Sequence, residues 1–257
     1  MIELPPPLFL PAKPAIIRPA GLLRPQLTDR LRYVPASFLP GMFPAGGVMG
    51  GAAAAPIAIE AANTSSTAGA GTSATVNLPA SIAAGELLLA LINSRDPGTG
   101  AISGWSSLAI DTHTNAYLQL FYKTATGSEG ATATWTSSNS VQSAHATWRI
   151  SGWQGTPENG AKVTGGTNNP DPPSITPSWG SARTLFLTAF GSTGTAVASG
   201  APTNYSGLLT AATSGASNVA INAATRILEG TTDDPGAFTA SLSGATWVAQ
   251  TFAIRPA

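Results

Sequence analysis

Eleven of the chain's 21 prolines fall within its first 56 residues: Pro5, Pro6, Pro7, Pro11, Pro14, Pro19, Pro25, Pro35, Pro40, Pro44 and Pro56. Each ring fixes φ, removes an amide donor and pushes the preceding residue toward extended geometry. A helix or a central strand is excluded there. Disorder of the usual polar kind is not indicated either, because Leu8, Phe9, Leu10, Ile16, Ile17, Leu22, Leu23, Phe38, Leu39, Met42 and Phe43 punctuate the segment. An extended strip carrying large apolar groups has no core of its own to fill. Residues 1–56 are therefore expected to be an attachment arm, closed by the small-residue hinge 46–56. Leu8, Phe9, Leu10, Ile16, Ile17, Arg18, Phe38, Leu39, Met42 and Phe43 are its candidate partner-docking residues.

Charge divides along the same boundary. Residues 1–56 hold five Lys/Arg against two Asp/Glu (+3), and residues 57–257 hold seven against ten (−3). A basic arm on a mildly acidic body is a docking pattern, and five scattered cations are too few for a nucleic-acid stripe. Nucleic acid is not an expected partner. Cysteine is absent, which removes disulfide frameworks, thiolate metal sites and cysteine nucleophiles. The 27 uncharged residues between Arg32 and Glu60 are broken by four prolines and five glycines, so no membrane span is expected there. Met1-Ile2-Glu3-Leu4 followed by three prolines has neither the basic start nor the continuous apolar run of a signal peptide.

From Ile57 onward the pattern changes to short apolar or alternating runs separated by Gly, Ser, Asn and Pro clusters, the mark of an all-β domain. Expected strands are Ile57–Ala62, Ser73–Leu78, Glu86–Asn93, Tyr117–Thr124, Ala131–Thr136, Ala144–Ser151, Arg183–Phe190, Val219–Ile227, Phe238–Leu242 and Thr246–Ile254. The unbroken Leu87–Ile92 run suits a strand buried on both faces. Alternation in Ala144–Ser151 groups Ala146, Trp148 and Ile150 on one face, with His145, Thr147 and Arg149 on a solvated or interface side. Thr156–Trp179 is expected to be a long loop. The fold class is thus all-β, an antiparallel sandwich of jelly-roll or immunoglobulin-like type over residues 57–257, with the terminal strand set beside early ones.

Several stretches carry a resemblance: Gly85–Ile92, Gly104-Trp105, Leu120–Glu129, Trp135, Ala146–Gly152 and Val248–Pro256. Together they look like a β-sandwich domain of tailed-bacteriophage virion proteins, and the arm is similar to N-terminal attachment segments of phage structural proteins. The resemblance implies a non-enzymatic virion component, assembled in the host cytoplasm, in a head-decorating, neck or tail-appendage position. Its implied partners are capsid, neck or tail subunits and further copies of itself.

Chemistry-bearing residues are sparse. His113 and His145 alone cannot build a His-rich metal site, and no Gly-x-Ser-x-Gly elbow follows a strand. Asp96, Asp111, Glu129, Glu158, Asp171, Asp233 and Asp234 fall in expected turns, where turn chemistry accounts for them. No catalytic residue, metal or cofactor is expected. Ile-Arg-Pro-Ala occurs at both Ile17–Ala20 and Ile254–Ala257, in a chain rich in Ala and Pro. Trp135, Trp148 and Trp247 lie in strands and are expected in the core. Trp105, Trp153 and Trp179 lie in or beside loops, where an indole stacks on a sugar or fills an interface pocket. They are the candidate glycan or receptor contacts of an alternative reading, an adhesin module that binds a host surface glycan.

Overall fold

The computed structural model describes residues 55–95 and 98–257. The candidate docking residues of the arm lie outside them, as does Asp96. Among the described residues there is no helix, and every strand pairing is antiparallel. Thirteen strands run in chain order: β1 Ala58–Ser66, β2 Gly71–Asn77, β3 Leu87–Ser94, β4 Gly100–Ile102, β5 Ser106–His113, β6 Ala116–Thr124, β7 Thr132–Val141, β8 Ser143–Ser151, β9 Glu158–Gly165, β10 Ala182–Thr193, β11 Ser206–Ala212, β12 Val219–Gly230 and β13 Trp247–Ile254. They form one five-stranded sheet in the order β1-β8-β3-β6-β5 (sheet A) and a second in the order β11-β12-β10-β13-β9 (sheet D). A three-stranded sheet, β2-β7-β4 (sheet B), completes the set.

Sheets A and D face each other as a sandwich. Leu87, Leu89 and Leu91 of β3, Leu118 and Leu120 of β6, and Trp148 and Ile150 of β8 meet Leu185 and Leu187 of β10, Ile221 of β12 and Phe252 of β13 in one cluster. The sheets also touch through a polar side chain. Asn93 is fully buried and donates from Nδ2 to Ser192 O at 2.9 Å and Ala220 O at 2.8 Å across the layer gap. A Cβ at Gly191 would stand 2.5 Å from Asn93 Cγ, so only glycine lets this part of β10 approach so closely.

Each sheet carries apolar groups on its outer face as well. Sheet B lies over sheet A, where Val76, Ile102, Trp135 and Val141 pack on Ala90, Ile92 and Phe121. Gly100 sits directly on Trp135, since a Cβ there would meet the indole at 2.5 Å. Over sheet D, loop residues Ile175, Ala198, Tyr205, Phe238, Ala240 and Leu242 cover Phe186, Phe190, Ala224, Trp247, Ala249 and Ala253. These two coverings explain why β3 and β13 are buried along their whole length. A strand with protein on both faces reads as a continuous apolar run rather than as an alternation.

The topology departs from expectation at the end of the chain. β13 pairs with β10 and β9, not with early strands. Sheet A draws wholly on residues 58–151 and sheet D wholly on 158–254. That segregation differs from the interleaved strands of jelly-roll and immunoglobulin-like sandwiches. β9 occupies part of the expected Thr156–Trp179 loop. Phe238–Leu242 is no strand; it is an extended loop laying Phe238, Ala240 and Leu242 on sheet D.

Candidate binding cleft

The surface cleft begins where β2 leaves sheet B. Leu78 N donates to Ala131 O at 2.9 Å, and Asn63 Nδ2 donates to Leu78 O at 3.0 Å, so the turn Leu78–Ile82 is held from two strands. Ser81 within it takes φ +60. On the opposite wall stands the loop after β6, organised by a single carboxylate. Glu129 accepts from Thr126 N at 2.6 Å, Thr126 Oγ1 at 2.8 Å and Gly127 N at 3.0 Å, and pairs with Lys123 Nζ at 3.1 Å. Desolvation works to raise this carboxyl. The Thr126 amide and hydroxyl and the Lys123 ammonium outweigh it and hold the pKa at about 2. Glu129 is thus a permanent anion whose oxygens are committed to its own loop, unsuited to proton transfer near neutral pH.

Two lobes open along these walls. One of about 660 Å³ runs past Asn63, Asn77, Leu78 and the 79–82 turn to Glu129 and Thr132. The other, of about 300 Å³, is bordered by Ser103, Trp105, Lys123 and Thr134. They share Leu78, Glu129 and Thr132. Both volumes are of the size that small ligands occupy.

The three loop tryptophans have different surroundings. Trp153 is half-buried against the inter-sheet cluster, donates from Nε1 to Gly85 O at 2.9 Å, and bridges to Pro256. Trp179 is half-buried against the loop-covered cluster and donates to Thr184 Oγ1 at 3.0 Å. Trp105 packs one side on the cluster beneath sheet B and borders the smaller lobe. Its indole N–H has no hydrogen-bond partner among the described residues. Trp135, Trp148 and Trp247 are buried.

His145 corrects a sequence expectation. It does lie opposite Ala146, Trp148 and Ile150, yet that side is not solvated, and the ring is fully buried. The ring nitrogens bond Ser65 Oγ and Ser143 Oγ, each at 2.8 Å, and β2 leans over the same side, with Thr147 Oγ1 donating to Asn77 O at 2.7 Å. Desolvation lowers the imidazole pKa to about 4. Nothing in the one-dimensional pattern signals that a third sheet covers this face.

Asp233 is likewise absorbed into the architecture. It pairs with Arg226 Nη1 at 2.8 Å, accepts from the Tyr205 hydroxyl, and exchanges backbone hydrogen bonds with Ile175. Burial first, and then the Asp233 carboxylate, push the Tyr205 pKa above its ordinary value. Among the described residues no group of three or more His, Cys, Asp or Glu side chains is placed to hold a metal. No described helix is long and apolar enough to cross a membrane.

Residue-pattern reasoning singled out Trp105 but not its neighbours in the cleft. Asn63, Asn77, Lys123 and Thr132 carry no local signal, because they converge only through the β2–β7 pairing and the β1–β8–β3–β6 order of sheet A. No protein-family model, curated protein or solved structure matches the chain.

Proposed function

We propose that the chain is a non-enzymatic structural component of a tailed-bacteriophage virion, joined to neighbouring subunits by residues 1–56 and displaying the sandwich of residues 57–257 on the particle. One observation carries this reading. The gap between the two large sheets is filled by their own side chains, down to the direct Asn93–Gly191 approach. The apolar groups at Leu8–Leu10, Ile16-Ile17 and Phe38–Phe43 therefore have no slot to fill between those sheets, and a foreign surface is their natural destination. Arg18, with the other cations of that segment, suits carboxylates on the receiving subunit. Ordering such a segment costs on the order of 1 kcal/mol per residue of backbone entropy. Its prolines reduce that cost because the free chain is already restricted.

The test is incorporation. Deleting residues 1–45 is expected to leave a folded, soluble body that no longer joins assembled particles when supplied in trans. Normal incorporation of the truncated body would refute the attachment role.

A further inference from the structure

The two-lobed cleft beside Trp105 brings together an aromatic face, hydroxyls and a paired cation. An indole lies on its rim, anchored from beneath by the packing around Trp135 and Val76. Ser103, Thr132 and Thr134 place exposed hydroxyls around it, and Asn63 and Asn77 add amides at the far lobe. The one cation bordering the cleft, Lys123, is neutralised by Glu129, and one of the three ammonium donors serves that pair. The remaining Lys123 donors are available at the cleft border without imposing net charge. Phosphate-rich or strongly anionic ligands find no unpaired cation here. Most side chains along the rim are polar or small, and Leu78, Pro79 and Ile82 give the larger lobe an apolar stretch.

We propose that this cleft binds a neutral oligosaccharide, with one sugar ring stacked on Trp105 and its hydroxyls bonded by Lys123 and the threonine hydroxyls. A pyranose presents an apolar C–H face and an equatorial belt of hydroxyls, which is the complement of an indole ringed by donors and acceptors. Two lobes meeting at Leu78, Glu129 and Thr132 accommodate more than a single ring. The walls are already pinned, by Glu129 on one side and by Asn63 on the other. Little conformational freedom is lost on binding, which favours measurable affinity from a modest contact area. The proposal stands independently of the virion reading: a display protein need not bind sugar, and a sugar-binding module need not be a virion part.

The experiment uses the full chain on an array of neutral, sialylated and sulfated oligosaccharides, followed by calorimetric titration with the best neutral binder. The expected result is binding to at least one neutral oligosaccharide. Trp105→Ala should weaken it by about tenfold or more, Trp105→Tyr should retain most of it, and Lys123→Met should weaken it by a smaller factor. Trp179→Phe, remote from the cleft, should leave affinity unchanged. Thermal melts of each variant separate lost folding from lost binding, and Lys123→Met keeps the test valid should the alanine variant unfold. Binding confined to sulfated or sialylated glycans, the absence of binding to any neutral glycan, or affinity unaffected in a folded Trp105→Ala or Lys123→Met variant would each overturn the proposal.

Discussion

Over the outer face of sheet A lies a second layer of strands, whereas the outer face of sheet D is roofed by loops. The strand cover satisfies its own backbone through the β2–β7–β4 ladder. Its side chains are left to do other things, and several of them line the cleft. The loop cover has only isolated bridges, Ile175 with Asp233 and Gly200 with Thr239, so side chains supply many of its other partners. Asn168 Oδ1 accepts from Leu242 N at 2.6 Å, Asn169 Oδ1 from Ala240 N at 2.9 Å, and Asn222 Oδ1 from Ala198 N at 2.7 Å, while Asp233 ties Arg226 and Tyr205 together. Buried backbone groups must be paired by one means or the other, and the choice decides which face retains polar groups for a ligand.

The same contrast sets opposite pH sensitivities. Beneath the strand cover, His145 is neutral when folded, whereas in the unfolded chain its imidazole titrates at the ordinary value of 6.5. The unfolded chain therefore binds the extra proton between pH 6.5 and about 4, and stability falls as pH drops through that window. Glu129 adds to the effect lower down: its contribution is complete above about pH 4.5 and is lost as pH approaches 2. Under the loop cover, Tyr205 stays protonated in the folded state while the unfolded phenol ionises near pH 10. Stability there is complete below pH 10 and is lost as the solution becomes more alkaline. Acid strains the strand-covered face and alkali the loop-covered one.

The largest expected effect comes from removing what the strand cover grips. Trp135→Ala should lower the unfolding free energy by about 3–5 kcal/mol, read from the denaturant midpoint at pH 7. Next comes the acid limb. Between pH 7 and pH 4 the wild-type chain should lose up to about 3 kcal/mol through His145, and His145→Gln should flatten that dependence while retaining hydrogen bonds to Ser65 and Ser143. On the other face, Asp233→Ala strands Arg226 and Tyr205 and should cost about 2–3 kcal/mol. That variant should also change the alkaline limb, because the carboxylate helps to hold the Tyr205 phenol protonated. The smallest effect is expected at the cleft wall. Glu129→Gln should shift the melting temperature slightly at pH 7 and remove the part of the acid limb below pH 4.5. If His145→Gln altered the alkaline limb, the two coverings would not be the separate units described.

Much of this body was legible in its sequence, and the gaps have a common cause. Central strands announced themselves because they are squeezed from both sides, and Leu87–Ile92 is the clearest case. The four strands not foreseen, β4, β5, β9 and β11, are all at sheet edges. An edge strand such as Glu158–Gly165 is mostly exposed, so neither a continuous run nor a clean alternation marks it. Phe238–Leu242 misled in the opposite sense, since an extended loop lying on a sheet buries every second residue just as a strand does. The alternation in Ala144–Ser151 was read with the correct parity, yet it could not say that β2 and its neighbours would cover His145. In the cleft, Trp105 stood out as a loop aromatic beside Gly104. Asn63, Asn77 and Lys123 did not, because strand pairing over separations of tens of residues is what assembles them.

The account rests on a sandwich whose inter-sheet core is built from residues of the body itself, with the attachment role of the leader, residues 1–56, as the proposal built on it. Thermal unfolding of the full chain compared with a chain lacking residues 1–54 tests this most directly. The prediction is a cooperative transition with the same midpoint in both proteins. A truncated chain that melts at clearly lower temperature, or fails to fold, would show that the leader completes the body's own core and would contradict the account.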